Sequence, residues 1–130
     1  MTRVLLLSLH LVVGLSAIGA GQVLARDPSG QPLTFKTEWL NGSPFEDYRI
    51  PGLFLLFVIA PSNLLSGLAQ LKKHSAAPLL STSTGFLLLV WLLIQTVIIG
   101  FQHWSQALWA LVFGLVATLG VLQQRMKARE

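Results

Sequence analysis

The chain has no cysteine. Disulfides, thiolate metal ligands and thiol–disulfide exchange are therefore outside its chemistry. Charge is almost as scarce. Asp, Glu, Lys and Arg make up 11% of the 130 residues while 53% are hydrophobic, and an average soluble domain is roughly 25% charged. A water-soluble chain this short has too much surface to cover with so few charges. The scarcity is also uneven. No Lys, Arg, Asp or Glu occurs from about Val4 to Ala25, Pro51 to Leu71, Leu79 to Phe101 or Ala107 to Leu122. A soluble four-helix bundle would carry a charged face on each helix. Four uncharged runs instead predict four helices in lipid.

A helix needs about 20 residues to cross a hydrocarbon core of roughly 30 Å. The first three runs have that length, and the fourth attains it by borrowing Ser105, Gln106 and Gln123. The expected architecture is all-α: one integral membrane domain, 1–130, forming a transmembrane four-helix bundle. Its spans fall at about 4–25, 51–71, 79–101 and 105–123, with a long first loop at 26–50. The first span has a rival reading. A basic start, an apolar middle and small residues from Ala17 to Gly21 are also the parts of a cleaved signal peptide. The apolar run exceeds the usual 7–15 residues of such a peptide, so an uncleaved span is the expectation.

The few charges are sorted by loop. Arg3, Lys72, Lys73, Arg125, Lys127 and Arg129 share one side with a single acid, Glu130. Arg26, Lys36 and Arg49 share the other with Asp27, Glu38, Glu46 and Asp47. Positive loops stay in the cytoplasm. A cytoplasmic (inner) membrane protein with both termini inside is therefore expected. The basic tail reads as a topology anchor on anionic lipid rather than a nucleic-acid arm. Trp39, Tyr48, Trp104 and Trp109 gather near the outer surface, where amphipathic rings settle.

The outer loop has local signals of its own. Asp27-Pro28-Ser29-Gly30 fits a turn. Leu33 to Leu40 partly alternates and predicts a short extended stretch. Ser43-Pro44-Phe45-Glu46 has the form of a capping box, which predicts a one-turn interfacial helix from Pro44 to about Tyr48. Ile50 precedes a proline and is expected to be extended.

Chemistry inside the spans rests on few residues. Pro61, beside Ser62 and Asn63, predicts a kink with a freed carbonyl. Gln95 lies in the third span with Trp91 one turn away on the same face. An Asn63–Gln95 hydrogen bond would give either a ligand pocket built from Asn63, Gln95, Trp91 and Ser62, or plain interhelical glue. His10 reads as a polar residue satisfied at a helix interface. His74 and His103 are loop residues, so no haem pair is evident. On the outer side Glu46, Asp47, Tyr48 and His103 form a candidate vestibule. Adjacent carboxylates on a helix diverge by about 100°, which favours capping over acid–base work. No span holds a carboxylate, so a proton-coupled transport site is missing. No metal cluster, phosphate loop, cofactor motif or Ser–His–Asp set is present. Ala17 with Gly21, and Ala110, Gly114 and Thr118, are small-residue stripes fit for close helix packing.

The run Gly42 to Leu56, followed by Trp91 to Trp104, resembles an uncharacterised family of small bacterial four-span integral membrane proteins. The likeness covers about residues 39–109. It is carried by Pro44-Phe45, Asp47-Tyr48, Ile50-Pro51-Gly52, Gln95 and Ile99-Gly100. The resemblance implies a four-helix inner-membrane protein and transfers no catalytic residue. Two functions follow as expectations. One is a non-enzymatic accessory or interaction subunit, with a membrane-protein partner or a second copy. The other is a binder or carrier of a small apolar or lipidic molecule. An enzyme would have only Glu46, Asp47 and His103 to work with on the outer face.

Overall fold

The structure, a computed structural model, describes residues 1–102 and 104–129. Four helices carry the fold: α1 Thr2–Arg26, α2 Arg49–Leu71, α3 Ala77–Ile99 and α4 Ser105–Ala128. Each is long and apolar enough to cross a membrane. Their outward faces are greasy from end to end, with Leu15, Phe57, Val97 and Leu111 all 62–77% exposed. A soluble monomer rarely leaves so large an apolar patch uncovered; hydrocarbon is the solvent such a surface matches. α3 stops at Gly100, whose φ of 73° is open to glycine at little cost.

Small residues decide which helices touch. A side chain at Gly85 would meet the Ala117 Cα at 2.6 Å, and one at Gly120 would meet the Thr82 backbone N at 2.7 Å. These two positions draw α3 and α4 into backbone contact. At the other side of the bundle, a Cβ on Gly21 would lie 2.8 Å from the Gly52 carbonyl, and one on Gly52 would lie 2.6 Å from the Leu24 Cβ. The half of α2 next to the 26–50 loop, called outer after the expected orientation, is thereby pulled onto α1. The inner half of α2 packs against both α1 and α3. The Gly14, Ala17 and Gly21 stripe is therefore internal. Gly114 has open space at its Cβ, and Ala110 and Thr118 beside it are exposed. That second stripe faces outward.

The kink expected at Pro61 takes the form of a π turn, Leu55–Ile59, just before it. The Ala60 N–H reaches back five residues to the Leu55 carbonyl. One extra residue in the turn absorbs the missing proline donor.

The N-terminal turn, the loop at 72–76 and the C-terminal tail meet at one end. Arg3 Nη1 donates to the Gln70 carbonyl at 3.1 Å, and the Lys127 ammonium donates to the Ser75 carbonyl. The outer loop lies at the opposite end and corrects three local expectations. The stretch Leu33 to Leu40 is not extended; it holds two 3-10 turns, Gln31–Leu33 and Thr37–Leu40. Residues 44–48 form bends, not a helix. Ile50 is helical, because α2 begins at Arg49 and places Pro51 in its first turn, where no N–H is required. The Asp47 carboxylate accepts the Arg49 N–H at 3.0 Å, whereas Ser43 Oγ closes its own turn on the Phe45 N–H at 3.2 Å. The capping box fails because the nearer carboxylate serves the actual helix start. The Asp27 turn forms as expected, closed by the Gly30 N–H on the Asp27 carbonyl at 3.2 Å.

Candidate functional site

Drawing α2 onto α1 leaves a gap opposite α3 in the outer half of the bundle. The gap is a cavity of about 190 Å³. Its walls are apolar and aromatic, including Val13, Ala20, Leu55, Trp91, Trp109 and Phe113. The outer loop roofs it with Phe35, Trp39, Leu40, Phe45 and Tyr48. The loop is held there by its own small core, in which buried Leu24, Leu40 and Tyr48 pack with Leu33, Phe35 and Ile99. Tyr48 is 5% exposed and its hydroxyl donates to the Lys36 carbonyl at 2.7 Å. Burial raises the Tyr48 hydroxyl above its ordinary pKa of 10.0.

Two of the four residues expected to bind a ligand line this cavity. Trp91 stacks on Phe54, with ring centroids 4.6 Å apart. Gln95 sits half-buried in the wall, and among the described residues no group hydrogen-bonds its amide. The other two are elsewhere. Ser62 donates to its own helix at the Val58 carbonyl, 2.6 Å away. Asn63 does not meet Gln95. Its Oδ1 lies 3.0 Å from His10 Nδ1 and its Nδ2 donates to the Ile59 carbonyl at 2.9 Å. The pairing fails because His10, on the helix that α2 packs against, reaches Asn63 first.

His10 belongs to a buried polar seam that runs inward from mid-bundle. Its Nε2 lies 2.8 Å from Ser81 Oγ. Gln70 Nε2 donates to Ser81 Oγ at 2.8 Å and to Gln123 Oε1 at 2.7 Å, and Gln123 Nε2 returns a bond to Gln70 Oε1 at 3.0 Å. The proton count has one solution. Asn63 Nδ2 is spent on Ile59, so Asn63 Oδ1 must accept from His10 Nδ1–H. His10 Nε2 then accepts from the Ser81 hydroxyl. Ser66 Oγ and Thr84 Oγ1, 2.8 Å apart, add a second bridge between α2 and α3. Among the described residues no buried side-chain nitrogen or oxygen lacks a partner, which is the arrangement of structural glue rather than of a vacant site. Sequence reasoning missed Ser81, Gln70 and Gln123. Their signal was spacing: Asn63, Ser66 and Gln70 fall on one face of α2, at intervals of three and four residues.

The outer carboxylates do not converge into an acid–base pair. Glu46 is exposed, Asp47 is occupied with the start of α2, and Tyr48 is turned into the loop core. His103 lies outside the described residues. Among the described residues no group of three His, Cys, Asp or Glu gathers to hold a metal. No protein-family model, curated protein sequence or solved structure matches the chain, so what can be said of the site comes from its geometry.

Proposed function

We propose that the chain is a multi-pass protein of the cytoplasmic membrane, with both termini inside, that binds a small apolar or lipidic molecule in the outer-half cavity. The orientation rests on the sorting of six cations to the end that carries the termini. The binding reading rests on one observation: an aromatic-walled cavity whose wall holds the Gln95 amide, which has no hydrogen-bond partner among the described residues. Apolar pockets with a few placed polar groups are the usual form of a small-molecule site. An engineered apolar cavity of about 150 Å³ holds benzene. A space of about 190 Å³ therefore takes a single substituted ring or a short chain segment, not a whole phospholipid. Gln95 would give a carbonyl or hydroxyl on that molecule both a donor and an acceptor.

The test is purification in native nanodiscs followed by mass spectrometry of whatever small molecule accompanies the protein. A stoichiometric apolar molecule is expected. It should be lost in Ala20→Phe, which fills the cavity, and weakened in Gln95→Leu. An occupant retained undiminished by Ala20→Phe would end this reading.

A second reading is an accessory or interaction subunit of the membrane. It is favoured by the outward stripe of Ala110, Gly114 and Thr118, where a neighbouring helix could approach closely. Its test is the assembly size of the native protein against Gly114→Leu. A homo-oligomer or partner complex that survives that change intact would not use this face.

A further inference from the structure

A second concavity, of about 470 Å³, opens at the end that carries both termini. Arg3, Lys73, His74 and Lys127 line it, together with Ser75 and Gln123, and among the described residues it has no Asp or Glu in its wall. These cations come from α1, from the loop at 72–76 and from α4, so the fold brings them together from three parts of the chain. Their posts are fixed by the backbone. Arg3 is anchored to the Gln70 carbonyl, and Lys127 to the Ser75 carbonyl. Lys73 adopts a φ of 53°, a left-handed conformation in the turn that ends α2; the following His74 N–H bonds to the Ala69 carbonyl at 2.9 Å. His74 Nδ1 accepts the Ala76 N–H at 3.0 Å, which leaves the ring proton on Nε2 as a donor. The start of α3 borders the same space at Pro78 and supplies no donor there: Pro78 has no N–H, and the Ala77 N–H bonds the His74 carbonyl at 3.1 Å.

We infer that this concavity is a binding site for a phosphate group. Three permanent cations and a histidine donor surround it, and among the described residues no lining carboxylate opposes them. It lies at the depth where span ends meet lipid headgroups, so the phosphate has two sources: an anionic phospholipid or a soluble phosphate. A basic pocket between helix ends is the known form of anionic headgroup recognition. Each cation at such a surface contributes a preference of roughly fivefold, so three cations give roughly a hundredfold preference for an anionic over a zwitterionic lipid.

The experiment uses the full chain purified in mild detergent. Retention of phosphatidylglycerol and of phosphatidylcholine is compared by native mass spectrometry, with and without inorganic phosphate. Preferential retention of phosphatidylglycerol that inorganic phosphate does not reduce assigns the site to lipid. Saturable binding of inorganic phosphate with equal retention of the two lipids assigns it to the soluble anion. The double change Lys73→Gln and Lys127→Gln should lower the lipid selectivity at least tenfold in the first case, and weaken phosphate binding at least tenfold in the second. Lys72→Gln with Arg129→Gln, which removes two cations outside the wall, should leave both unchanged. Equal retention of both lipids together with no phosphate saturation overturns the proposal. So does a Lys73/Lys127 variant that keeps the full lipid selectivity or the full phosphate affinity of the native protein, or a Lys72/Arg129 variant that loses as much.

Discussion

Gln70 and Gln123, 53 residues apart in the chain, face each other side chain to side chain and exchange two hydrogen bonds, of 2.7 and 3.0 Å. Both are buried. The pair ties α2 to α4 while Ser81 and His10 extend the connection to α3 and α1. Gln70→Leu leaves the Gln123 amide buried without its partner, and Gln123→Leu takes the close donor from Gln70 Oε1 while Gln70 Nε2 keeps Ser81. Each single change should destabilise the bundle by about 1–2 kcal/mol. The double leucine variant should lose less than the sum of the two, because no orphan remains. Unfolding in mixed micelles, read as a double-mutant cycle, measures the coupling. Strict additivity would mean that the pair contributes nothing of its own.

The two classes of glycine should respond oppositely to alanine. At Gly52 the new methyl would meet the Leu24 Cβ at 2.6 Å, so α1 and α2 must separate. A loss of about 1–3 kcal/mol is expected. At Gly114 nothing lies within 4 Å. There alanine should be neutral or stabilise the isolated protein by up to about 1 kcal/mol, through helix propensity. Thermal unfolding of the two variants side by side decides the matter; a marked loss of stability in Gly114→Ala would mean that the face is already packed.

Tyr48 offers a pH readout of the roof. Its hydroxyl is held neutral by burial and lies above the ordinary value of 10.0. The sign follows from linkage. The unfolded loop ionises near 10.0, while the folded loop resists. The contribution is full below pH 10 and is lost as pH climbs through the higher folded value. The chain has one tyrosine, so absorbance of the phenolate reports this group alone. A midpoint above 10 is expected. Tyr48→Phe should abolish the alkaline loss and cost about 1 kcal/mol at neutral pH, for the hydrogen bond to Lys36. A normal midpoint in the native protein would place the ring in water.

The absence of cysteine makes topology directly measurable. A cysteine placed at Ser75 or Arg129 becomes the sole thiol in the chain. Both should react with an impermeant maleimide only after the cell is opened. Gly42→Cys, in the outer loop, should react in intact cells. Reversed labelling at all three positions would invert the orientation and leave the fold untouched.

The spans were legible because the signal was collective. Dozens of consecutive uncharged residues outweigh any local preference, and α1 to α4 lie within a few residues of where the pattern put them. The loop was less legible because competing short signals had similar weight. Ser43 and Glu46 have the form of a cap, yet Asp47 takes the Arg49 N–H and Tyr48 packs with Leu24 and Leu40 where α2 begins. The site was half legible. Trp91 and Gln95 share a face by helical spacing alone, and both line the cavity. Asn63 was a mid-depth amide with a polar partner to find, but spacing within one helix does not say which neighbour supplies it. His10, a histidine set in an apolar run, points to a satisfied residue at a helix interface, and it is one. Its partners depend on the azimuth of two other helices, which no run of residues encodes locally.

The π turn at Leu55–Ile59 makes α2 a shaft with two independent phases. The extra residue shifts the outer segment by about 100° relative to an unbroken α-helix. With that offset Asn63 points at His10 while Leu55 looks into the cavity. Removing one residue from the turn would therefore act as a twist: it would swing Phe54 off Trp91 and change the shape of the chamber, yet leave the inner hydrogen bonds standing. No side-chain substitution can produce that result, and a one-residue deletion there separates the mechanics of the two halves.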